Sequence, residues 1–118
     1  MSVDVLQDKI RKLKSPVMLG LDPYLPILPP HIVRDAFEAH GQTLEAAAEA
    51  YHRFCSELLH ALAGVAPAVK LQSACFEALG AAGIAQMQRL SREATELGYY
   101  VLIDSMRGDV GSVAEIYA

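Results

Sequence analysis

Short apolar runs that alternate with helical segments restrict this chain more than any other feature. The runs are residues 17–22 (VMLGLD), 65–72 (VAPAVKLQ) and 99–104 (YYVLID). Each is rich in branched or aromatic side chains and bounded by Pro, Gly or a polar group, the pattern of a strand buried in a sheet. Strands joined through helices pair in parallel by right-handed crossovers. The expected class is therefore α/β with parallel strands.

One-sided apolar spacing predicts the helices. Val3, Leu6, Ile10 and Leu13 recur every three or four residues, which predicts an amphipathic helix over 3–13 that lies on a surface as a lid or end cap. Pro16 closes that segment. Pro23, Pro26, Pro29 and Pro30 crowd the stretch after the first run. Each fixes φ and removes an N–H, so regular structure is not expected there and an ordered loop with polyproline-like geometry is. A short helix is expected over 31–39. Thr43 is placed as the N-cap of a long helix with Leu44, Ala47, Ala48, Tyr51, Cys55, Leu58 and Leu62 on one face, and Gly64 stands beyond its end. Ile84, Met87, Leu90, Ala94 and Leu97 mark another helix ended by Gly98, and a further one begins at Val110.

Composition sets the outer bounds. With 118 residues, 53% hydrophobic and 20% charged, the chain is expected to form one globular domain over 1–118. A net charge of −4 and the absence of a basic run argue against nucleic acid as a partner. No apolar run approaches the roughly 18 to 20 residues of a membrane span. The opening segment MSVDVLQDKIRKLK lacks the apolar region of a secretory signal, so a cytoplasmic location is expected. Cys55 and Cys75 sit in apolar helical patterns away from any CxxC spacing, which predicts buried free thiols and no zinc site or disulfide. His31, His40, His52 and His60 show no metal-ligand spacing and are read as solvated surface. Ser56, Ser73 and Ser112 lack the His and Asp context of an acyl-transfer triad.

Asp22, Lys70 and Asp104 close or nearly close the three runs, and parallel α/β folds bind ligands at the C-terminal ends of their strands. A cation between two carboxylates lowers the cost of burying each charge, and serves either a functional site or a structural ion-pair network. The segment from Asp104 to Ser112 (DSMRGDVGS) sets Asp109 beyond a glycine turn that opens a helix. Arg107 in that turn is read as solvated, with an anion or a partner as its other reading.

The run IDSMRGDVGSVAEIYA resembles D-A-K-R-G-D-I-G-S-T-A, VKLQSACFEALGAAG resembles V-K-P-Q-S-A-F-F-E, and MLGLDPYLPILP resembles an opening G-L-D-P strand. These are motifs of the orotidine 5′-phosphate decarboxylase family in its longer bacterial type, and they occur here in the family's order. The resemblance implies a partial (β/α)8 (TIM) barrel covering about the first three β/α units, because a complete barrel needs about 250 residues. It implies decarboxylation of orotidine monophosphate to uridine monophosphate and CO2 in pyrimidine biosynthesis, without a metal or organic cofactor, by an alternating Lys-Asp-Lys-Asp network. By motif, Lys70 is the first lysine and Asp104 the acid that faces the substrate carboxylate. Asp109 is the second acid, which reaches the neighbouring subunit's site in a homodimer. Asp22 contacts the ribose and pyrimidine region, and Ser112 joins the substrate-binding set.

The departures bear on activity. The family's proton-donating lysine falls on Met106, its K-P-Q proline on Leu71, and the threonine after G-S on Val113. General acid catalysis and preorganised charge stabilisation are worth about 10² to 10⁴ and about 10² to 10³ in rate, and methionine supplies neither. The family's phosphate-gripping loops follow strands seven and eight, so tight nucleotide binding by these residues alone is not expected. The expected function is an incomplete and impaired decarboxylase. A reading of another class is a non-catalytic interaction protein or half-barrel subunit, because a small parallel sheet leaves two edges open to a second copy or to a complementing barrel chain.

Overall fold

A computed structural model describes residues 2–118. Helix α1 (Ser2–Leu13) leads to strand β1 (Met18–Leu21), a 3₁₀ turn (Leu25–Ile27) and helices α2 (Pro30–His40) and α3 (Leu44–Leu62). Strand β2 (Ala68–Gln72), helices α4 (Ser73–Glu77) and α5 (Gly80–Glu96), strand β3 (Tyr100–Asp104) and helix α6 (Gly111–Tyr117) follow. The strands form one parallel sheet in the order β1-β2-β3. Its register runs from Met18↔Ala68 to Leu21↔Leu71 and from Ala68↔Tyr100 to Gln72↔Asp104. This is the α/β alternation of a partial (β/α)8 barrel.

Helix α3 forms where its cap and spacing direct it. The Thr43 hydroxyl accepts from the Ala46 N–H at 3.1 Å, satisfying one of the free donors of the first turn. Ala46, Ala47, Ala48 and Ala50 are all buried, so the helix backbone comes close to its neighbours. Leu44, expected on the buried face, is 55% exposed, whereas Ala46 and Ala47 in the same turn are buried. Tyr51 meets Phe76 edge-on, with centroids 6.2 Å apart. The Tyr99 hydroxyl donates to the Leu59 carbonyl at 2.6 Å, which pairs the polar end of a buried ring. Glycine is required where α4 crosses α5: a Cβ on Gly83 would stand 1.9 Å from the Phe76 carbonyl oxygen.

Two expectations need correction. The proline-rich stretch does contain regular structure, because Pro26 occupies the first turn of the 3₁₀ segment and Pro30 opens α2, positions that need no N–H. His52 is not solvated surface but 7% exposed between α3 and α5. Its Nε2 lies 3.2 Å from Glu93 Oε2. Glu93 Oε1 accepts from the Ser56 hydroxyl and lies 3.3 Å from Nδ1 of His60. Ala48, His52, Cys55 and Leu59 form one helical stripe, so the buried histidine follows the core periodicity. Cys55 and Cys75 are buried free thiols, as expected.

Burial is uneven across the sheet. On β2, Val69 and Leu71 are fully enclosed, whereas Met18 on β1 and Leu102 and Ile103 on β3 are exposed. Helix α1 buries none of its side chains. Lys9 Nζ donates to the Gly98 carbonyl at 2.8 Å, and the Ser2 and Tyr100 hydroxyls are hydrogen-bonded. Helix α1 thus caps the N-terminal end of β3, opposite the charged strand ends. No helix among the described residues is long and apolar enough to cross a membrane.

Candidate active site

Register partners in a parallel sheet share a face, so Gly20, Lys70 and Leu102 stand together, and Gln72 and Asp104 lie two residues further along the same face. Asp22 follows the last residue of β1. The Lys70 ammonium donates to both Asp22 oxygens, at 2.7 and 3.0 Å. The side chains are 21% and 52% exposed, so the lysine is anchored from the partly enclosed side while the carboxylate faces solvent. A lysine in the most buried strand is tolerated because its long stem carries the charge to a carboxylate at the strand end. Cys75 feels both charges. Burial, with the Asp22 carboxylate adding and the Lys70 ammonium opposing, pushes its thiol up to about 11, so it stays protonated near neutrality.

The remaining motif residues occupy the loop after β3. Asp104 Oδ1 accepts from the Met106 N–H at 3.4 Å. Asp109 Oδ1 accepts from the Val110 N–H at 2.8 Å. Met106 is 60% exposed. Ser112 lies in the first turn of α6, where it lines an open cleft of about 390 Å³ with Tyr24, Glu115 and Ile116. The structure thus brings Lys70 and Asp22 into contact. Among the described residues no ion pair joins that bridge to Asp104 or Asp109.

A second charged cluster was missed by sequence reasoning. Arg107 is not free: it forms an ion pair with Glu77 Oε1, donates to the Ser105 carbonyl at 3.0 Å, and lies 5.0 Å from the centroid of the Tyr117 ring. Glu77 Oε2 accepts from the Ser73 hydroxyl at 2.9 Å. Burial, with the Glu77 charge adding, raises the Tyr117 phenol above its ordinary value. The four-residue spacing of Ser73 and Glu77, one helical turn, was the available signal. Nothing local pointed Arg107 toward them.

No family profile matches the chain. It is 38% identical over 113 residues to the orotidine 5′-phosphate decarboxylase of Rhodopirellula baltica, covering 96% of this chain and 36% of that protein. It is 35% identical over 108 residues to the enzyme of that name from a Roseiflexus species, covering 92% of this chain and 35% of the relative. In three dimensions it is similar to a crystal structure assigned as the orotidine-monophosphate decarboxylase of Toxoplasma gondii, with a TM-score of 0.69 and 28% identity over 97% of this chain and 34% of that one. A structure assigned the same activity from Streptomyces avermitilis gives a TM-score of 0.66 and 26% identity, over 98% of this chain and 36% of that one. The chain spans about a third of the length of these relatives. In sequence and in fold, the chain is similar to an N-terminal portion of the orotidine 5′-phosphate decarboxylases.

Proposed function

We propose that residues 1–118 act as one domain supplying about the first three β/α units of an orotidine 5′-monophosphate decarboxylase barrel in the cytoplasm, with a site impaired for the chemical step. The observation that carries this reading is the Lys70–Asp22 bridge at the C-terminal strand ends. In this reading Asp22 holds the ribose and pyrimidine side of the nucleotide, Lys70 is the first lysine of the catalytic charge network, Ser112 adds a contact, and Asp104 faces the departing carboxylate. Loss of CO2 leaves an electron pair on the pyrimidine carbon, which then takes a proton. Met106 stands where the donor is needed, and its thioether neither carries that proton nor offsets the charge. Asp109 reaches toward the site of a second subunit.

The test is the fall in orotidine monophosphate absorbance. The chain and its Met106→Lys variant are assayed alone and with a polypeptide carrying the remaining β/α units of a relative. Turnover is expected from Met106→Lys with the complement, and silence from the unaltered chain. Turnover by the unaltered chain would show that another group donates the proton. Silence of Met106→Lys, where a relative's own N-terminal portion restores activity to the same complement, would refute the site.

The exposed edge residues favour a second reading, a non-catalytic subunit that pairs through β1 or β3 with a second copy or a complementing barrel chain. Sedimentation decides it. A defined complex that Ile103→Lys dissociates supports pairing through β3, and a monomer at every concentration and with every complement refutes it.

A further inference from the structure

The loop 105–110 separates Asp104 from the helix that carries Ser112. Among the described residues its hydrogen bonds are local apart from one: Met106 N–H to Asp104, Val110 N–H to Asp109, Val113 and Ala114 N–H to the Val110 carbonyl, Arg107 to Ser105, and the single distant bond from Arg107 to Glu77. Arg107 closes the loop on itself through the Ser105 carbonyl and ties it outward through Glu77. Its guanidinium also lies near the ring of Tyr117, in α6. Glu77 ends α4, and its second oxygen is held by Ser73, the residue after Gln72 at the end of β2. A continuous chain of contacts therefore runs from the strand that bears Lys70 to the loop that bears Met106 and Asp109.

From this geometry we infer that Arg107 and Glu77 are positioning residues, which set the loop and the start of α6 relative to the Lys70–Asp22 bridge. A planar guanidinium serves a carbonyl, a carboxylate and an aromatic ring at once, and an ammonium does not. Arg107 is 61% exposed, and an exposed pair adds little to global stability. Its effect is local order at the strand-end face. The inference rests on the decarboxylase reading for the ligand that the loop meets, but not for the tie itself.

The experiment has two arms. Amide hydrogen exchange is measured on the full chain, on Arg107→Gln, Glu77→Gln and Arg107→Lys, and on the charge-reversed double variant Glu77→Arg with Arg107→Glu. Loss of an exposed pair and its aromatic contact is expected to speed exchange at 106–110 about fivefold, with the urea midpoint and exchange in β2 unchanged. The double variant recovers part of the protection, and Arg107→Lys remains fast. Unchanged exchange in both single variants overturns the tie, and full protection in Arg107→Lys overturns the role given to the guanidinium. In the second arm, Arg107→Gln is added to the complemented Met106→Lys protein, where misplaced groups are expected to lower kcat about tenfold or more with little change in KM. A rise in KM with kcat intact overturns the positioning role. If the complemented protein shows no turnover where a relative's own N-terminal portion restores it, the decarboxylase reading fails while the exchange arm still decides the tie.

Discussion

Replacing Gly83 by alanine tests how closely the α4–α5 crossing is built. The added Cβ would stand 1.9 Å from the Phe76 carbonyl oxygen, 2.8 Å from its carbonyl carbon and 2.9 Å from the Leu79 Cβ. Two of these are backbone atoms, so no side-chain rotation relieves the overlap. The oxygen also accepts the Leu79 N–H at 3.0 Å, and displacing it disturbs the junction between the helices. A C···O contact near 3.3 Å restores ordinary spacing, so α5 must retreat by more than an ångström while carrying Leu90 and Ala94, both fully buried. Overpacking of this kind costs about 3 kcal/mol, the upper part of its usual range, and alanine's helix propensity over glycine returns about 1. The expected net loss is about 2 kcal/mol. With a urea slope of about 1.5 kcal/mol/M, the unfolding midpoint falls by more than about 1 M at unchanged slope. Gly111→Ala is the control, since nothing lies within 4 Å of a Cβ there, and it is expected to stay within about 0.5 kcal/mol of the parent. A Gly83→Ala midpoint equal to or above the parent's would refute the crossing as described.

Two further predictions concern buried titratable groups. Burial, with the Arg89 charge adding and Glu93 and Glu49 opposing, holds the His52 imidazole below its ordinary value of 6.5. The unfolded chain therefore binds that proton more tightly, so stability present above pH 6.5 is lost as the pH falls through the lowered folded-state value. His52→Gln should flatten that part of a plot of urea midpoint against pH, and an unchanged slope would assign the acid loss to other groups. Burial also pushes the Cys55 thiol up to about 12 and that of Cys75 up to about 11. Iodoacetamide at pH 8 should label both slowly in the native chain and readily in urea, and native labelling of Cys75 at the unfolded rate would show that α4 is not packed as described.

The sheet was legible because its signals are local. Apolar runs between amphipathic stretches leave few topologies, and Thr43 marks the start of α3 by its own hydrogen bond. The proline stretch misled because a proline count carries no phase: Pro26 and Pro30 fall where the N–H is not needed. His52 misled because a polar side chain was read by type, although its helical position matched the core stripe. Of the candidate site, Lys70 and Asp22 were legible together because parallel strands bring their ends to one face. The tie between Arg107 and Glu77 was not, since it joins residues 30 apart across two turns whose geometry follows from packing.

The bare edges have a further consequence for a chain emerging from the ribosome. In any closed eight-stranded barrel the next strand to be synthesised covers β3, whereas β1 waits for the last. In such a barrel the edge exposed longest during synthesis is that of β1, which here is the shorter of the two outer strands, four residues against five. Pro16 and Pro23 flank it closely, so the ladder cannot extend past either end to recruit a neighbouring nascent chain. β3 has a longer edge and no such flanking prolines, so the same protection is missing there.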